Sequence, residues 1–75
     1  MITGDFLRYW RKRRGMTQEY AARAYGISAR TLGAWERDQH SPKLFDVVCL
    51  ITKVYKIKFD DALNEYTNEK LKDAA

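Results

Sequence analysis

A chain of 75 residues is long enough for one small domain and too short for two. Its 45% hydrophobic and 32% charged residues exclude a disordered chain, and no apolar run reaches membrane-spanning length. The net charge of +4 is unevenly spread: residues 1–43 carry nine Lys/Arg against four Asp/Glu, and residues 44–75 carry five against six. The basic surplus therefore lies in the first part of the chain, which points that part toward a polyanion.

The elements are predicted to be helical throughout. Helix one is expected from a cap at Thr3 to Arg14, with Phe6, Leu7 and Trp10 on one face and Gly15 ending it. Thr17 caps a second helix through Tyr25, which Gly26 terminates. Ser28 caps a third helix to about Arg37, and Asp38 to Ser41 form a polar loop. Ser41-Pro42 reads as the cap and first residue of helix four, with Leu44, Val47, Val48, Ile51, Val54 and Tyr55 facing inward. Lys56 to Lys58 is a short link, and a fifth helix runs from Phe59 to about Tyr66. The expected organisation is one domain over residues 1–66 and a polar, frayed tail over 67–75.

Enzyme chemistry finds no foothold. His40 stands alone in a polar loop, without a second ligand at metal spacing. Cys49 lies among apolar neighbours and reads as a packing residue. Asp60 and Asp61 are adjacent, so on a helix they diverge, and they suit a helix start rather than a carboxylate pair. No Ser/His/Asp set and no phosphate-cradling glycine loop is present. The expectation is a non-enzyme without metal or cofactor. With a single cysteine and no apolar signal segment, it is expected in the cytoplasm, off the membrane.

The stretch from Gln18 to Arg37 carries the functional signal. Two short capped helices meet at Gly26, with Ala22 small enough for a close crossing. Ala21, Tyr25, Ile27, Leu32 and Trp35 fill the angle between them, and the opposite side of helix three is left free for a major groove. This pattern, from Thr17 through Ser28 and on to Thr31-Leu32 and Trp35-Glu36-Arg37, resembles the Cro/CI-type (XRE-like) phage-repressor helix-turn-helix family. Arg11, Gly15 and Met16 before it, and Pro42, Leu44, Leu50, Val54, Ile57, Phe59 and Leu63 after it, extend the resemblance over roughly residues 6–63.

The resemblance implies an all-α, five-helix, lambda-repressor-like fold binding double-stranded DNA. It implies a Cro-like repressor of a phage or mobile element, acting as a homodimer on an inverted repeat without a small-molecule effector. It also assigns roles. Ala29, Arg30, Gly33 and Ala34 would read bases. Gln18, Ser28, Thr31, Arg37, Lys43 and Arg11 would meet the DNA backbone, and Arg11 would pair with Glu36. Tyr55, Lys58 and Phe59 would form the dimer contact. The sequence departs from the family where Tyr20 replaces a capping Glu, where Tyr55 replaces a helix-ending Gly, and where three reading positions carry Ala or Gly. The competing reading is an antitoxin or other interaction module that docks a protein on the small-residue face of helix three.

Overall fold

The computed structural model describes residues 2–74 and is helical throughout, with no strand among them. Helix α1 spans Ile2–Arg13, α2 Gln18–Tyr25, α3 Ala29–Glu36, α4 Leu44–Cys49 and α5 Phe59–Ala74. A π-helical turn, Leu50–Val54, continues α4. None of the described helices is long and apolar enough to cross a membrane.

Local chemistry sets most of the boundaries. Gly15 adopts φ 70° and lets its own N–H reach Lys12 O and that of Met16 reach Arg11 O, which closes α1. Gly26 does the same for α2 at φ 90°, with both Gly26 N–H and Ile27 N–H returning to Ala22 O. Thr17 Oγ1 accepts from Tyr20 N–H at 3.0 Å, and Ser28 Oγ accepts from Thr31 N–H at 3.0 Å, so α2 and α3 are both side-chain capped. Tyr20 is exposed and its ring cannot return a bond to the cap, so only half of a capping box forms on α2.

Four expected boundaries differ. Thr3 is not a cap but already helical, since α1 begins at Ile2. Helix α4 begins at Leu44 rather than Pro42. Its cap is Lys43, whose N–H donates to Asp46 Oδ2 at 3.2 Å. The left-handed residue after the π-helical turn is Lys56, at φ 58°, while Tyr55 keeps φ −84°. Helix α5 runs past Tyr66 to Ala74 because its later turns are tethered to α1. Tyr66 Oη donates to Asp5 Oδ2 at 2.6 Å, and Lys70 Nζ lies 2.8 Å from the same oxygen.

The core gathers Phe6, Leu7 and Trp10 of α1, Ala21 and Ala22 of α2, and Leu32 of α3. Val47, Leu50, Ile51, Val54 and Tyr55 join them, with Ala62 and Tyr66 of α5. The wider π-helical turn keeps Leu50, Ile51, Val54 and Tyr55 together on the buried side. Trp10 is buried and its Nε1 donates to Ala62 O at 3.2 Å, which pins α1 to α5. Leu44 breaks the expected inner face: with α4 starting at that residue, its side chain points outward and is 74% exposed.

The link between α1 and α5 has a pH signature. Lys70 first, then the Tyr66 hydroxyl, holds the Asp5 carboxyl below its ordinary 3.8. A carboxylate with a lowered folded-state pKa stabilises the fold above its unfolded value, and that stability is lost as pH falls through the folded value. The contribution is therefore complete above about pH 4 and fades below it. Asp5 is half exposed, so its worth is at most ~1 kcal/mol. Asp5→Asn is expected to flatten the acid limb of a Tm-versus-pH curve below about pH 4 and to leave neutral-pH cooperativity intact. Parallel acid limbs for the two proteins would assign acid sensitivity elsewhere.

Candidate nucleic-acid interface

Helix α3 is the element that can enter a groove, and its orientation is set from beneath by one buried charge pair. Arg11 reaches from α1 to Glu36 at the end of α3, with Nε to Oε2 at 2.7 Å and Nη2 to Oε1 at 3.0 Å. The third nitrogen, Nη1, donates to Met16 O at 2.8 Å, in the turn before α2. Gln18 Nε2 at the start of α2 donates to Glu36 Oε1 at 3.0 Å. One carboxylate thus joins α1, α2 and α3. The two ionic side chains are 9% and 2% exposed, and bonding to Glu36 raises the pKa of Arg11, keeping it charged.

This geometry bears out the expected Arg11–Glu36 pair and corrects the second role given to Arg11. Each of its three nitrogens bonds inside the domain and its side chain is only 9% exposed, so it is turned away from a DNA phosphate. Gln18 is half-buried and spends one amide hydrogen on Glu36. Its backbone N–H, in the first turn of α2, has no intrahelical acceptor and is the group left to meet a phosphate.

The surface of α3 is narrower than the sequence implied. Ser28 and Arg30 are exposed, and Ala29 and Thr31 are half-buried. Arg30 makes no hydrogen bond or ion pair among the described residues. Gly33 and Ala34, expected to read bases, are buried instead. Gly33 lies under the side chains of Gln18 and Arg37, with Arg37 Nη1 only 3.0 Å from where a Cβ would stand. Ala34 is 8% exposed and lines a hollow with Arg30, Thr31, Trp35, Arg37 and His40.

That hollow holds functional candidates that sequence reasoning missed. Asp38 adopts φ 58° and reverses the chain, which folds Gln39 and His40 back beside α3, with Gln39 N–H on Ala34 O at 2.9 Å. Arg37 is exposed and its Nη2 donates to Gln39 Oε1 at 3.2 Å, so the two act as one polar unit. A polar loop was legible in the sequence; that it returns onto α3 was not. Lys43 is exposed at the start of α4, next along the chain from this loop.

The dimer residues also divide. Tyr55 is fully buried and its ring faces the core, so it cannot touch a second subunit. Its hydroxyl is a buried polar atom without a hydrogen-bond partner among the described residues, and burial pushes its pKa up, so it stays neutral. Lys58 is exposed and Phe59 half-buried. Tyr25, by contrast, ties α2 to α4 by donating to Asp46 Oδ1 at 2.6 Å, and that carboxylate pushes the phenol up to about 12.

No curated protein and no solved structure matches the chain. The sequence profile of one family, described as helix-turn-helix, matches residues 7–61, which run from the middle of α1 through α2, α3 and α4 to the start of α5. Two capped helices crossing at Gly26, locked to α1 by Arg11 and Glu36, are the structural counterpart of that match. The chain accordingly belongs to the helix-turn-helix family of DNA-binding regulators, in its Cro/CI-type, XRE-like branch.

Proposed function

We propose that the protein is a sequence-specific repressor of the Cro type that binds an inverted-repeat operator as a homodimer. The observation that carries this reading is Arg30: an exposed arginine, without a partner among the described residues, near the N-terminal end of a capped and rigidly seated helix. Arginine pairs bidentately with O6 and N7 of guanine in the major groove. With Gly33 and Ala34 covered, Arg30 carries the base reading, supported at most by a methyl contact from Ala29. Ser28, Thr31, Arg37, Lys43 and the N–H of Gln18 serve as the contacts to the DNA backbone. Selectivity at the remaining positions falls to DNA shape.

The test is a randomised-site selection followed by salt-titrated binding. Each half-site is expected to contain one dominant guanine. Log affinity is expected to fall linearly with log salt, at roughly −0.9 per phosphate neutralised. Arg30→Ala is expected to cost about 1–3 kcal/mol at that guanine and to flatten the preference there, whereas Arg37→Ala weakens all sequences alike. An unchanged consensus for Arg30→Ala would make Arg30 a phosphate clamp, and a flat salt response would remove DNA as the partner.

A further inference from the structure

Part of the basic surplus lies outside the residues assigned to DNA. Arg30, Arg37 and Lys43 belong to α3 and the segment after it, whereas Arg13 and Arg14 stand at the C-terminal end of α1. There they meet Lys53 of the π-helical turn and Lys56 just beyond it. These four cations and the rings of Tyr20 and Tyr25 line one open hollow of about 520 Å³. No acidic residue lines it, and it shares no lining residue with the hollow beside α3. Arg13 is partly spent, since its Nη2 lies 2.8 Å from Glu65 Oε2. Arg14 Nε donates to Tyr55 O at 2.8 Å, which fixes the guanidinium and leaves Nη1 and Nη2 without an acceptor among the described residues. Lys53 and Lys56 are exposed and make no hydrogen bond or ion pair among those residues.

We propose that this hollow binds a nucleoside di- or triphosphate. Arg14, Lys53 and Lys56 are uncompensated cations in one concavity, and they suit an anion that carries several charges on a short stretch, as a di- or triphosphate chain does. Tyr20 supplies the other half of the site. It is 61% exposed, and an exposed aromatic face is a stacking platform for a base. A DNA duplex offers phosphates outside and keeps its bases stacked inside, so it would use the cations and leave the ring idle. Lys56 also holds a left-handed φ of 58°, a conformation that costs every residue but glycine. A lysine there gives up stability and places a charge at the hollow, as a residue kept for binding rather than folding does. This site stands independently of the DNA reading, and it departs from the expectation of no small-molecule effector.

Calorimetric titration of the full chain with magnesium-free ATP at low salt tests the site. ATP is expected to bind one per chain with a Kd below about 1 mM. Tripolyphosphate, which keeps the charges and lacks the base, is expected to bind about ten-fold more weakly. Lys53→Glu is expected to raise the Kd for ATP at least about ten-fold. Tyr20→Ala is expected to bring ATP down to the level of tripolyphosphate. Both positions are exposed, and unchanged far-UV spectra and melting temperatures verify folding. Lys56→Gly separates binding from folding: it is expected to raise the Tm by relieving the left-handed backbone, and to weaken ATP several-fold. Lys72→Glu makes the same charge change as Lys53→Glu at an exposed position on α5 and is expected to leave the Kd alone. No saturable binding at about 1 mM ATP overturns the proposal. So does equal affinity for ATP and tripolyphosphate with Tyr20→Ala silent, which would give the hollow to phosphate alone, as on a DNA backbone. An equal loss from Lys72→Glu and Lys53→Glu also overturns it, leaving only a net-charge effect. A protein that binds ATP here and binds no duplex would refute the DNA reading and leave this site standing.

Discussion

Glu36→Ala is expected to remove about 3–5 kcal/mol of folding stability, as much as truncating a large core side chain. A chain of 75 residues has only roughly 4–11 kcal/mol in total. The physical reason is what the substitution leaves behind. Arg11 remains charged at 9% exposure with two of its three donor nitrogens unpaired, and Gln18 loses its acceptor. Urea unfolding at pH 7 measures the loss. Removing both charges tests the cause: Arg11→Met with Glu36→Met is expected to be more stable than Glu36→Ala alone, because no lone buried ion remains. A loss below about 1 kcal/mol would mean that water screens the pair as it does a surface bridge. DNA affinity is expected to fall with stability, since the same carboxylate sets the angle between α1, α2 and α3.

Gly4→Ala is expected to destabilise the protein by about 1–3 kcal/mol, although helix propensity alone would stabilise it by about 1 kcal/mol. Gly4 lies within α1, so alanine is locally the better residue. Its Cβ, however, would stand 2.6 Å from Trp35 O, 2.7 Å from Glu36 O and 2.8 Å from Asp38 Oδ1. The first two are backbone oxygens at the end of α3 and cannot swing aside. Helix α1 would have to withdraw, weakening the bond from Gly4 N–H to Asp38 Oδ1 at 3.2 Å. Gly33→Ala supplies the contrast. There the Cβ would meet only side-chain ends, Arg37 Nη1 at 3.0 Å and Gln18 Oε1 at 3.4 Å, which can move. Its expected change is within ~1 kcal/mol of zero. Thermal melts decide the matter: a higher Tm for Gly4→Ala would show that α1 and α3 approach less closely than 2.6 Å implies.

These two glycines show how differently the chain reveals its parts. Gly15 and Gly26 were legible as helix ends, because a left-handed residue after a helix is a local requirement that only neighbouring residues shape. Thr17 and Ser28 were legible as caps for the same reason. The Arg11–Glu36 pair was legible only through the family resemblance, since 25 residues separate its members and nothing local joins them. By itself the sequence determined five helices, the turn at Gly26 and the place of the basic surplus, all of which depend on short-range periodicity, capping and composition. The inward faces of α1 and α4 were legible from their spacing, and only the tertiary structure decided where those faces end and what covers the rest. Leu44 and Phe45 point outward, Tyr55 inward, and Gly33 lies under Gln18 and Arg37. Gly4 carries no local mark of its role, because the atoms that forbid it a side chain belong to α3, more than thirty residues along the chain. Burial is a property of what packs against a residue. Gly33 is covered by Gln18 of α2 and by Arg37, Ala34 by the loop that folds Gln39 back onto it, and Tyr55 by the shared core, and that turned two expected base readers and one expected dimer contact into parts of the interior.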